Sequence, residues 1–168
     1  MTASGWQDLR DFLLVAAYVI LAGPIVGLLW SVAGPKLDLF RALSGSGGAW
    51  RAEAGADVHF GLLCLAAGAV CAAVAVLLRM DGPGVIAGLA AGGLGAAFVA
   101  DRVGYLLNRG DTLDLLHSRS VSLQTLSQYG IDPFFKVRAL GVVVAWPMAT
   151  LIVFVTAVAI RDRARSLP

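Results

Sequence analysis

Residues 83–107 read PGVIAGLAAGGLGAAFVADRVGYLL. Within that stretch Gly84, Gly88, Gly92, Ala96, Ala100 and Gly104 recur at every fourth position. Residues four apart stand on one side of an α-helix, so the repeat draws a stripe of small side chains down one face. Apart from Asp101, Arg102 and Tyr105, the remaining positions are small or apolar too, and no polar face opposes the stripe. A helix that is apolar all round belongs inside a large core or inside a membrane. This one is long enough for a membrane, since about 20 helical residues cross a hydrocarbon layer of about 30 Å. Helices in lipid meet without a hydrophobic drive, and small residues let their backbones come close. The stripe therefore marks where a neighbouring helix lies.

Three further apolar runs, about 12–32, 58–78 and 138–160, have the same reach as 83–107. They are continuous and do not alternate, which predicts helices and not barrel strands. The 168 residues are 58% hydrophobic and 14% charged, with a mean hydropathy of +0.80. A soluble domain carries roughly 25% charged residues, and a chain this small cannot hide so much apolar surface from water. Disorder needs the opposite composition. The net charge of +2 is too small for a nucleic-acid partner. The expectation is an all-α membrane protein: one integral domain over 1–168, a four-transmembrane-helix bundle bathed in membrane lipids.

The span ends carry start and stop signals. Ser4-Gly5-Trp6-Gln7 has capping-box spacing, so the first helix can begin before its span. Gly34-Pro35 stops it, with Gly34 suited to a left-handed cap. Asp57 is placed to cap the second helix, Gly82-Pro83 to start the third and Asp132-Pro133 to start the fourth, with Phe134 and Phe135 at headgroup level. The second and third spans are joined by only Arg79-Met80-Asp81-Gly82, which predicts an antiparallel hairpin. Residues 34–57 and 108–137 form two longer loops on the other side. Arg79, Arg161, Arg163 and Arg165 crowd the short-turn side, so the positive-inside rule places both termini in the cytoplasm and both long loops in the periplasm.

Shorter small-residue stripes occur elsewhere: Gly23, Gly27 and Ser31; Cys64, Gly68 and Ala72; Gly141, Ala145 and Ala149. Internal packing and docking of another subunit both remain open as uses for these faces. Pro24 and Pro147 lie inside spans and deprive the carbonyls of Ile20 and Val143 of their donors, which predicts kinks. Asp101 and Arg102, adjacent in the third helix, are the ionisable residues within the bilayer, with His59 and Arg138 at span ends. Such residues are candidates for a proton or substrate relay, or for a polar clamp at the outer interface. Arg102 can snorkel outward, and Asp101 can face His59. Cys64 and Cys71 lie about 10.5 Å apart along a helix axis, too far for a disulfide. With only His59 and His117, no metal-ligand spacing appears. No nucleophile elbow, zinc-protease motif or phosphate loop is present, and no enzyme, metal or cofactor is expected.

The loops differ in character. Ser44-Gly45-Ser46-Gly47-Gly48 reads as flexible, with Trp50 after it as an interfacial anchor. Residues 108–137 hold Leu113, Leu116, Leu123 and Leu126 at i,i+3 spacing, and Ser122 can cap a short helix ending at Gly130. Short amphipathic pieces lying on the membrane, on a partner or over the bundle fit this pattern.

Gly23-Pro24-Ile25-Val26-Gly27-Leu28-Leu29-Trp30 through Gly34-Pro35, then Asp57-Val58-His59-Phe60-Gly61, then Gly82-Pro83-Gly84 and the stripe to Arg102-Val103-Gly104, form a set. Together they resemble an actinobacterial family of small four-span membrane proteins of unknown function, over about two-thirds of the chain. That family includes accessory subunits of mycobacterial MCE (mammalian cell entry) lipid importers. The resemblance implies a non-catalytic subunit of an ABC-type fatty-acid import complex in the plasma membrane, seated beside the permease subunits. No catalytic residue carries over. On this expectation a small-residue stripe, that of the first or the fourth helix, docks a permease helix. The competing expectation is a small transporter or channel working as a homo-oligomer, in which Asp101 matters for flux.

Overall fold

The computed structural model describes residues 3–34, 48–120, 122, 124 and 140–165. These form α1 (Ala3–Ala33), α2 (Gly48–Leu77), α3 (Pro83–Ser118), α4 (Leu140–Val143) and α5 (Ala145–Arg165), with no strand among the described residues. Four stretches are long and apolar enough to cross a membrane: Gly5–Ala33, Ala54–Leu77, Pro83–Ser118 and Gly141–Arg165. The expected all-α four-helix membrane bundle is the observed architecture, and its exterior is apolar. Leu21, Val32, Val70, Leu77 and Ile152 stand outward among many others.

Two of the expected loops are shorter than predicted. α2 begins at Gly48 and not at 58, so Asp57 sits inside the helix and does not cap it. The residues before it, Ala-Trp-Arg-Ala-Glu-Ala, are mostly strong helix formers and outweigh the single Gly55. α3 runs on past Leu107 to Ser118, 36 residues or about 54 Å, because the polar residues beyond 107 include no proline and only Gly110 among breakers. The first helix does start ahead of its span, at Ala3. The readings placed on Pro35, on Ser44–Gly47, on Asp132–Phe135 and on a helix ending at Gly130 lie outside the described residues, as does the side chain of Trp50.

The prolines act differently. α1 runs through Pro24 unbroken, with that ring exposed on the lipid side. The fourth span is interrupted at Val144, between α4 and α5, three residues before Pro147. Proline cannot donate to the Val143 carbonyl, so the helix opens there and resumes with Met148 N–H bonded to Val144 O at 3.1 Å.

Helix ends also differ from expectation in one place. Gly34 is not left-handed; its N–H returns to the Trp30 carbonyl at 2.7 Å. Among the described residues the left-handed non-glycine positions are Ser120, φ 54°, past α3, and, in the cap of α2, Arg79, φ 55°. Its N–H bonds Val76 O at 3.0 Å, and Met80 N–H bonds Ala75 O at 3.0 Å. That is the paired pattern of a Schellman cap, which normally has glycine at this position. A side chain there costs about 1 kcal/mol. Arg79→Gly is therefore expected to raise stability by up to about 1 kcal/mol, read as a higher thermal midpoint in mild detergent.

The helices do not pack mainly with their chain neighbours. α1 lies along α3, α2 lies along α5, and α3 meets α5 to join the two pairs. α2 and α3, though joined by the tight turn, touch little. The α1/α3 pair is parallel: Gly84 abuts Asp8, Gly88 abuts Phe12, Gly92 abuts Ala16, and Gly104 abuts Trp30. The α2/α5 side runs parallel too, with Gly61 beside Val142 and Gly68 beside Trp146. Charged residues mark one common level at the turn side: Asp8 and Asp11 on α1, Asp81 after the turn, and Arg161 on α5. Arg161 donates to Asp81 Oδ1 at 2.6 Å and ties α5 to the turn before α3. About 20 residues from that level lead to Trp30 on α1, Arg102 on α3 and Gly141 on α4.

Candidate functional site

Six of the seven glycines singled out for packing or docking lie in the α1/α3 seam. A Cβ on Gly23 would stand 2.7 Å from the Ala96 carbonyl oxygen, and one on Gly27 would stand 2.6 Å from that of Ala100. At Gly84 it would meet Asp8 O at 2.2 Å, at Gly88 Phe12 O at 2.8 Å, and at Gly92 the Ala16 Cα at 2.9 Å. At Gly104 it would overlap the Trp30 ring at 2.2 Å. These contacts are with backbone or a buried indole, so nothing flexible can yield. The stripe of α3 and the stripe of α1 fill each other. Gly23 and Gly27 are accordingly not a free docking face, because α3 already occupies it.

The α2 stripe is spent in the same way. A Cβ on Gly68 would lie 2.6 Å from the Trp146 carbonyl oxygen, and Cys64, Cys71 and Ala72 are buried. Both cysteines are free thiols in the core. Tyr18 reaches from α1 to donate its hydroxyl hydrogen to the Cys71 carbonyl. Thr150, fully buried on α5, satisfies itself by donating to Trp146 O at 2.8 Å. The indole N–H groups of Trp30 and Trp146 are buried without an acceptor among the described residues.

Gly141 is different. Among the described residues, a Cβ there would meet nothing within 4 Å. It lines an open apolar groove of about 550 Å³ between α2 and the α4/α5 helix. One wall is a stripe of α2 with Ala54, Val58, Gly61 and Leu65; the other is Gly141, Val142 and Ala145. Asp57 is its one charged lining residue. The groove is three turns of α2 long; Gly141 leaves one wall shallow, while Val58, Leu62 and Leu65 stand exposed along the other. Sequence reasoning found the Gly141 stripe but missed Ala54, Gly61 and Leu65, because Gly61 meets α4 only in three dimensions.

The hydrogen-bond contact that His59 shows lies within its own helix. The Nδ1 of His59 lies 2.8 Å from the Gly55 carbonyl, one turn back on its own helix. Asp101 is half-buried beside the α1/α3 seam, and Arg102 is exposed on the lipid side. The Arg102 guanidinium carbon lies 5.9 Å from the centre of the Tyr105 ring, one turn further out along α3. Among the described residues no group of three or more His, Cys, Asp or Glu side chains is placed to hold a metal ion.

The chain matches no protein-family model, and no curated protein or solved structure is found to be similar to it.

Proposed function

We propose that this multi-pass protein is a non-catalytic accessory subunit of the LucB (lipid uptake coordinator) type, part of an MCE-type ABC lipid importer in a mycobacterial plasma membrane. Its partner is a permease helix, and it needs no cofactor of its own. The sequence features from Gly23 through Gly104 motivate the family. The observation that carries the docking mode is the groove between α2 and α4/α5. The other small-residue stripes are occupied by the protein's own helices, and Ala149 of this one packs on Gly68; its Gly141 end, along a groove of about 550 Å³, is open among the described residues. In lipid, such a face gains from a second helix through dispersion contacts and close backbone approach. The occupied seams make a rigid body, and the groove gives that body one place to seat a neighbour.

The test is affinity purification of the tagged protein from its native membranes in mild detergent. The expected companions are the permease, the cytoplasmic ATPase and the MCE proteins. Gly141→Leu, whose added side chain points into the groove and strains nothing, is expected to lose them while its thermal midpoint stays unchanged. Purification of the protein without any of these companions would overturn the assignment to an importer. Their retention by Gly141→Leu would move the docking face elsewhere and leave the assignment standing.

A further inference from the structure

The lipid-facing side of α3 changes character along its length. Ala91, Leu94 and Phe98 are exposed and apolar; the next exposed positions on the same side are Arg102, Leu106 and Arg109, with Tyr105 half-buried beside them. Seven residues separate the two arginines, which brings them back to one face, about 10.5 Å apart along the axis. Counted from Pro83 at the turn side, about 20 residues of rise end at Arg102, which puts it at the edge of the hydrocarbon layer. A guanidinium there is costly unless it reaches the interface and finds an anionic partner. The Arg102 guanidinium lies over the ring of Tyr105, which holds it beside the more C-terminal part of α3. Side chains on helices lean toward the helix N-terminus, and for Arg109 that direction leads back to the level of Tyr105. Arg102 and Arg109 thus share one exposed face of α3, with Tyr105 between them. Among the described residues no carboxylate stands in ion-pair contact with either one.

We infer that Arg102, Tyr105 and Arg109 form a binding site for the phosphate of an anionic phospholipid in the leaflet where α3 leaves the membrane. Two guanidinium groups offer forked donors that match phosphate oxygens, which a single diffuse charge does not. Tyr105 holds the first fork in place through its ring face. A zwitterionic headgroup brings its own cation into the same space, so net negative charge is what the site selects. The ligand is a resident lipid of the bilayer, since the site opens sideways to lipid at the Phe98 end.

The test reads lipid retained by the full chain purified from vesicles of equal parts phosphatidylglycerol and phosphatidylcholine, counted by native mass spectrometry. Wild type is expected to retain the anionic lipid in preference. Arg102→Gln with Arg109→Gln is expected to lower that preference about fivefold. Arg163→Gln with Arg165→Gln, at the opposite end of the molecule, serves as the control and is expected to leave this component in place. Arg102→Lys, which keeps charge and fold but loses the fork, is expected to fall in between. An unchanged preference in the Arg102/Arg109 variant overturns the site. So does displacement of the lipid by millimolar inorganic phosphate in the wild type, which would make it a site for soluble phosphate.

Discussion

Gly104→Ala is expected to destabilise the bundle by about 2–3 kcal/mol, the upper range for overpacking a tight contact. The added methyl would stand 2.2 Å from the Trp30 ring, and Trp30 has no room to retreat. Its indole is 2% exposed and sits edge-on to Phe60 of α2, ring centres 5.1 Å apart at 68°. Pushing Trp30 off α3 therefore also disturbs α2. Unfolding in mixed detergent micelles, followed by tryptophan fluorescence, measures the loss. Gly141→Ala in the same assay is expected to be silent, since its methyl meets nothing within 4 Å among the described residues. Trp30→Leu combined with Gly104→Ala is expected to recover part of the loss, because the smaller side chain vacates the overlap. Wild-type stability in Gly104→Ala would mean that α1 and α3 do not meet through this contact.

Trp146→Ala is expected to cost about 2–4 kcal/mol, from the lost contacts and the cavity left behind. Trp146 is fully buried where the two helix pairs join. Its carbonyl is pressed on Gly68 of α2, and the adjacent Pro147 lies against Gly93 of α3. Trp146→Phe is expected to be nearly neutral. It keeps most of the aromatic volume and removes an N–H that is buried without an acceptor among the described residues, and such a group is itself destabilising. The ordering of the two variants is the diagnostic: equal losses would assign the cost to the missing N–H and not to volume.

Much of the fold was legible from apolar run length alone, because lipid leaves a backbone so few options. The α3 stripe announced a close neighbour, and Pro83 at the first helical position was readable from its type. Which helix filled the stripe was not readable. Gly84 requires a backbone within a few ångströms, but Asp8 supplies it from 76 positions away, and no local periodicity records that distance. The tight turn suggested α2 as the partner of α3; the bundle pairs α3 with α1 instead. The helix extensions were missed for a different reason. Residues 48–57 and 108–118 are polar enough to resemble loops by hydropathy, while their helix propensity is ordinary. At the candidate docking site, Gly141 was found in the sequence among many similar residues. Only its open surroundings, against the crowded ones of Gly27 or Gly88, separate a free face from a used one.

The parallel pairing of α1 with α3 has a bearing on biogenesis. As the polypeptide leaves the ribosome, α1 is complete at Ala33, while the Gly84–Gly104 stripe that receives it is finished some seventy residues later. At synthesis rates of about 5–20 residues per second, that interval is several seconds. During it α1 must reside alone in the insertion machinery or the bilayer, and α2 must pass it without capturing it. A first helix with no Asp, Glu, Lys, Arg or His between Asp11 and Ala33 tolerates that wait, and its glycine notches stay vacant until the matching ridge arrives.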